Sequence, residues 1–349
     1  MPFRDNIDFC CLALNGPRLE APATTTVLPD LHVSNSTAHI DLDFWKEWLG
    51  TLQTRTFTDS SLLITAEHFD RYEAGASYET RVRIERRVRL FHFALLLLGC
   101  GYNSSAIAVG GNTASGHLHL GPVEFGIKAC HHPRYRRPKR ISAEDLERAA
   151  VVLVSLEHIY DHVPGPDYRR IRKGFNSWIE GIQNDDASKG LHSFVRSTEA
   201  IIRPTSSRKI RRGKRSFWRP ITSTFTERGQ TIIGRSLQSE RLLKQLYELR
   251  SCLEHTKNIE PMIKRPKGVS RNEAFVFRAL QAEILASSIY TRILMNDTLR
   301  EQLRTETRVE GFWRSNETRR RALYGEPIDL HAATHAQFFS AHVDPLDIV

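Results

Sequence analysis

Between Ser142 and Leu303 apolar residues recur almost throughout at the three-to-four-residue spacing of helices, and a stretch patterned this way buries its hydrophobic surface as packed helices. Ser142 with Asp145 resembles a capping box that opens a helix from Ala143 to about Tyr160, with Asp in the usual Glu position. From Lys189 to Ile202, Leu191, Phe194, Val195, Thr198, Ile201 and Ile202 share one face, and Pro204 ends the run. From Ser236 to Glu254 the stripe is Leu242, Leu246, Leu249 and Leu253. A third long helix, with Asn272 available as its cap, carries Val276, Leu280, Ile284, Ile289 and Ile293 toward Leu303. Several amphipathic helices in succession predict an antiparallel bundle.

The first half reads differently. Residues 1–35 show no sustained period and read as a loosely ordered lead-in or an edge strand. A helix is expected around Phe44, Trp45, Trp48 and Leu49, and another from Tyr78 into the apolar block Phe91 to Leu98. Gly110, Gly111, Asn112 and Gly116 read as a turn-rich linker, followed by a strand pair around His117–Leu120 and Val123–Ala129. The expected fold class is therefore mostly α: a mixed α/β N-terminal domain over residues 1–140, possibly sensing or regulatory, an antiparallel helical-bundle domain over 141–310, and a C-terminal tail or extra helix over 311–349.

Fifty Lys and Arg against 40 Asp and Glu give a net charge of +10, and many of the arginines stand in short runs, which suits a polyanionic partner. Five cysteines at no metal-ligand spacing fit a reducing cytoplasm better than a disulfide framework. The longest apolar run, Leu90 to Gly101, falls short of the roughly 20 residues that cross a bilayer, and the N-terminus lacks a signal-peptide pattern. A soluble cytoplasmic protein without membrane association is expected.

On the helix ending near Glu254, Arg250 falls about 80° from Leu242, at the edge of the apolar face. A guanidinium there is partly buried and requires a carboxylate or a polar network, for which Glu199 is the best candidate. His255 lies about 140° further round, so an ideal helix would not aim both side chains at one point. Either the helix ends there or a second subunit completes the site.

The segment Leu246 to His255, with Arg250, Ser251 and His255, resembles the arginine, small polar residue, three variable positions and histidine of the HEPN superfamily. Upstream, Arg169 to Asn184 and Gly190 to Ile202, with Phe175, Phe194, Thr198 and the Glu199–Ala200 pair, resemble the preceding helices of the larger prokaryotic HEPN-like proteins. The resemblance covers about residues 167–304, and Thr256 stands where many relatives carry glycine.

This resemblance implies a HEPN-like bundle and a homodimer whose paired Arg250 and His255 cut RNA without metal or cofactor, leaving 2′,3′-cyclic phosphate and 5′-hydroxyl ends. His255 would move the proton, Arg250 would hold the scissile phosphate, and Ser251 would add a hydrogen bond. Glu199 would serve either proton transfer or the pairing of Arg250. The implied role is a toxin or antiviral defence effector, with an antitoxin or a phage-derived regulator as a possible partner. Between the matched helices, Arg208, Lys209, Arg211, Arg212, Lys214, Arg215 and Arg219 can neutralise RNA phosphates, and Trp218 can stack on unpaired bases.

Other readings remain open. The basic stretch reads equally as a solvated insertion, and the Arg250–His255 pair as part of a non-catalytic RNA-binding or dimerisation scaffold. His117, His119, His131 and His132 offer no third ligand at a recognisable spacing, so no metal site is assigned. Arg319, Arg320 and Arg321 read as a solvated helix end.

Overall fold

In a computed structural model, the described residues are 7–20, 24–38, 40, 42–69, 78–100, 106–112, 119–123, 140–184, 186–203, 209–212, 215–218, 221–255 and 270–334. The chain forms two compact units, Met1–His131 with Tyr135–Glu157, and His132–Arg134 with His158–Val349.

The first unit opens with β1 (Ile7–Leu14), β2 (Arg18–Leu19), β3 (Thr24–Leu28) and β4 (Leu31–Ser34), then α1 (Leu42–Thr58), β5 (Leu62–Phe69), α2 (Tyr78–Leu97), β6 (Ala106–Asn112), β7 (His119–Val123) and β8 (Arg140–Ile141). A helix α3 (Ala143–Asp161) begins in this unit and ends in the next. Six strands form one antiparallel sheet in the order β3-β4-β5-β1-β6-β7.

The segment expected as a lead-in or edge strand thus supplies the interior strand β1. All eight of its residues are buried, which explains the missing alternation: a strand covered on both faces reads as an unbroken apolar run. Ile7, Phe9, Cys11 and Ala13 pack with Trp45, Leu49 and Phe57 of α1, and Cys10, pointing the other way, comes within electrostatic reach of Glu85 on α2. The Gly110–Gly111–Asn112 stretch, expected as a linker, lies inside β6, with Cys10 opposite Gly110 and Phe9 opposite Gly111. Ladders on both sides of β6 outweigh the poor strand propensity of glycine.

The helix expected around Trp45 is α1, which bends at Gly50 (φ 77°). The helix expected from Tyr78 is α2. Of the expected strand pair, residues 119–123 form β7; residues 117, 118 and 124–129 lie outside the described set.

The second unit holds α4 (Arg169–Ile182), α5 (Ala187–Ile202), the hairpin strands β9 (Lys209–Arg212) and β10 (Arg215–Trp218), and then six helices. These are α6 (Ile221–Ile233), α7 (Leu237–Glu254), α8 (Arg271–Met295), α9 (Asp297–Gln302), α10 (Glu306–Arg314) and α11 (Glu317–Tyr324). Connections of a few residues make α4 with α5, and α6 with α7, antiparallel neighbours.

The capping box expected at Ser142 is formed: Asp145 N–H donates to Ser142 Oγ at 3.1 Å, and Ser142 N–H to Asp145 Oδ2 at 3.2 Å. The third long helix starts earlier than expected, because Ser270 and Glu273 form the capping box in place of Asn272. It also stops at Met295, where Asn296 caps α9. The stretch expected as a tail contributes α10 and α11, whose Phe312, Trp313 and Tyr324 are buried. Arg319 and Arg321 are exposed on α11.

The core of this unit contains polar links that fix the register of its helices. Trp178 donates to Ser287 Oγ at 2.9 Å, Ser287 to Glu283 Oε1 at 2.9 Å, and Tyr290 to the Ser197 carbonyl at 3.0 Å. Among the described residues no helix is long and apolar enough to cross a membrane.

Candidate active site on the α5–α7 pair

Helix α5 is held at both ends. Asp186 caps its start, accepting from Ser188 N–H at 2.7 Å. At its other end, the carbonyl of Ile201 accepts from Trp313 and that of Ile202 from Arg228, both at 3.0 Å, and that of Arg203 accepts from Arg170. Three long side chains thus satisfy carbonyls that a helix end leaves open, and they fix Glu199, one turn back.

Helix α7 starts at the Ser236 cap and runs against α6, where Leu243 fills the space that a side chain on Gly229 would need. Its buried positions are Leu243, Leu246, Leu249 and Arg250, whereas Leu242 and Leu253 are half-buried. The buried face is therefore rotated from the expected one. Leu243 and Arg250 are two turns apart and lie nearly in line, so Arg250 sits within the buried face instead of on its margin.

Burial demands partners for the charge, and the pairing anticipated with Glu199 is present. Arg250 Nη2 lies 3.2 Å from Glu199 Oε2. Its Nη1 also donates to Glu254 Oε2 and its Nη2 to Glu254 Oε1 at 3.3 Å, a two-pronged contact one turn along the same helix. Arg203 Nη1 comes within 3.4 Å of Glu199 Oε1 without a hydrogen bond to that oxygen, and Arg250 Nε is likewise buried without a hydrogen-bond partner. Two cations and two carboxylates make the cluster electrically balanced.

His255 caps α7 at φ −100°, ψ 16°, and its N–H donates to the Ser251 carbonyl at 3.2 Å. The helix therefore ends before His255, and the 140° separation of an ideal helix does not apply to it. His255 is exposed, Ser251 is half-buried, and Arg250 is 8% exposed. Compared with protein-family models, curated proteins and solved structures, the chain matches none.

Three further groups belong to this neighbourhood and escaped the sequence reading. Tyr247 lies three residues before Arg250; burial first, and then Glu199, push its hydroxyl above the usual phenol range. Glu254 grips Arg250 as described. His192, on α5, hydrogen-bonds the Arg250 main-chain carbonyl and lies within reach of the Glu254 charge. The signal for His192 was available: it precedes Glu199 by seven residues, which places both on one side of a helix.

Of the basic stretch, the backbones of Lys209–Arg212 and Arg215–Trp218 pair as an antiparallel hairpin, Lys209 opposite Trp218 and Arg212 opposite Arg215. Arg208, Lys214 and Arg219 lie outside the described residues, as do the side chains of Lys209, Arg211, Arg212, Arg215 and Trp218. Among the described residues no three His, Cys, Asp or Glu side chains group as metal ligands do. His117, His131 and His132 lie outside that set.

Proposed function

We propose that this chain is a metal-independent endoribonuclease of HEPN type, acting as a toxin or antiviral effector on cytoplasmic RNA. The observation that carries the reading is the end of α7, where an anchored guanidinium at Arg250 and an exposed imidazole at His255 flank one helical turn. An imidazole exchanges protons near neutral pH, and a guanidinium stabilises charge on phosphate oxygens. In this reading the attacking group is the ribose 2′-hydroxyl of the RNA itself. The products are then a 2′,3′-cyclic phosphate and a 5′-hydroxyl, and DNA, lacking that hydroxyl, is not cut.

The pairing of Arg250 refines its role. A phosphate reaching this guanidinium has to displace a carboxylate. The Glu254 side chain, 38% exposed on the last helical residue, gives way more readily than Glu199, whose side chain is 6% exposed. Glu199 then acts as the fixed counter-charge that aims Arg250, while Ser251 adds a hydrogen bond to the incoming phosphate. The basic hairpin supplies phosphate contacts, and a homodimer brings two such helix ends to one cleft.

Incubating purified protein with total tRNA and mapping the product ends tests the reading. Cyclic phosphate ends that disappear in a folded His255→Ala variant support it. Absence of cleavage, or equal cleavage by the variant, ends it. A second reading, an RNA-binding or dimerisation scaffold, is favoured by the same double pairing, since a buried arginine between two carboxylates also suits a purely structural link. That protein would bind RNA with a steep salt dependence and leave it intact.

A further inference from the structure

Transphosphorylation requires a proton to leave the 2′-hydroxyl and another to reach the departing 5′-oxygen, and His255 alone supplies one group for two tasks. A second imidazole meets α7 beside its last turn. His192, half-buried on α5, contacts the carbonyl of Arg250 and feels Glu254, the residue that immediately precedes His255. Helix α5 is fixed there by the Asp186 cap, five residues before His192 at the helix start, and by the Glu199–Arg250 ion pair two turns on.

We propose that His192 is the general base of the ribonuclease site and His255 its general acid, so that one protomer holds both proton-transfer groups. The proposal rests on the ribonuclease reading above. Its geometric basis is the carbonyl contact. One ring nitrogen of His192 donates its proton to the Arg250 carbonyl, so in the neutral ring the other nitrogen carries the lone pair, and its tautomer is set by the fold.

The charged groups around His192 are Arg250 and Glu254 on α7 and Arg196 on its own helix. Burial, aided by the two arginines, outweighs Glu254 and the carbonyl and holds the ring below the usual imidazole range. At neutral pH the ring is unprotonated, as a base must be. In the reaction the free nitrogen takes the 2′-hydroxyl proton, and the 2′-oxygen forms its bond to phosphorus. The bond from phosphorus to the 5′-oxygen breaks, and that oxygen takes a proton from His255. Exchange with water then restores both rings.

The test uses an RNA oligonucleotide spanning a mapped cleavage site, either ordinary or with sulfur replacing the bridging 5′-oxygen, because a thiolate departs without a proton. His192→Gln retains a donor for the Arg250 carbonyl and cannot act as the base; thermal melting confirms that it is folded. It should cut both substrates more slowly than the parent by a factor of about 10²–10⁴ and lose the ascending limb of the pH–rate profile. His255→Gln should be slow on ordinary RNA and recover on the sulfur substrate.

If His192→Gln cuts ordinary RNA at the parent's rate, or recovers on the sulfur substrate, the base assignment is overturned while the ribonuclease reading stands. If His255→Gln remains slow on the sulfur substrate, the division of roles is overturned. If the parent cuts no RNA, both readings fall together.

Discussion

Arg250 and Glu199 approach to 3.2 Å across the α5–α7 contact, with side chains that are 10% and 6% exposed. A charge that far out of water keeps its place only through its counter-charge. Removing one partner of such a pair typically costs about 3–5 kcal/mol, because the other charge is left unmatched. Here Glu254 still holds the guanidinium, so Glu199→Ala should fall at or somewhat below the lower end of that range. The double variant Glu199→Leu/Arg250→Leu should lose less than the two single variants summed. Urea unfolding of the four proteins measures this coupling, and strictly additive losses would show that the pair is energetically idle.

Gly174 marks the tightest approach in the second unit. A Cβ built there would stand 1.7 Å from the Tyr290 hydroxyl and 2.9 Å from both the Ala200 Cβ and the Ser197 carbonyl oxygen. Gly174→Ala should therefore destabilise by at least the roughly 1–3 kcal/mol typical of an overpacked core. Tyr290→Phe removes the nearest obstacle along with a 3.0 Å hydrogen bond to Ser197. In the Gly174→Ala background it should restore part of the loss, although alone it destabilises. A double variant no more stable than Gly174→Ala would mean that the hydroxyl is not what the methyl meets.

The helices were legible because their partners are mostly one another's apolar faces, so that period and caps sufficed for α1, α2, α3 and α5. Less legible was anything decided by a second element. The choice between Leu242 and Leu243 as the buried residue depends on Gly229 of α6 leaving room for Leu243, which no pattern within α7 records. β1 was misread because burial on both faces erases the alternation that identifies a strand. The Glu199–Arg250 pair could be anticipated, since a cation on an apolar face needs a buried carboxylate and Glu199 is one. His192 was missed because its importance comes from a main-chain carbonyl on α7, and carbonyls leave no mark in a sequence.

The buried thiols should be inert beside Cys252. Cys10, Cys11 and Cys100 are buried, whereas Cys252 is half-buried on α7. Burial pushes the Cys11 thiol up to about 12 and raises Cys10 as well, with the neighbouring Cys11 adding to the effect. Because the thiolate is the reactive species, iodoacetamide at neutral pH should label the peptide containing Cys252 well before those containing Cys10 or Cys11. Peptide mapping by mass spectrometry follows each site separately, and early labelling at Cys11 would contradict its placement in the sheet interior.

His92 on α2 predicts how the first unit responds to acid. The side chain is 3% exposed, its Nδ1 has no hydrogen-bond partner, and burial pushes its pKa down from 6.5 to about 4. Between those values the unfolded chain binds a proton at this ring and the folded chain does not, so protonation favours unfolding. The stability that depends on a neutral His92 is fully present above pH 6.5 and declines as the pH falls toward 4. The decline amounts to something on the order of 3 kcal/mol. His92→Leu removes the titration and keeps an apolar side chain in the same place. Subtracting its urea-unfolding free energies from the parent's over this pH range cancels every other titrating group. The difference should move steadily in the variant's favour as acid is added; two parallel curves would show that His92 takes up its proton equally in the folded and unfolded chains.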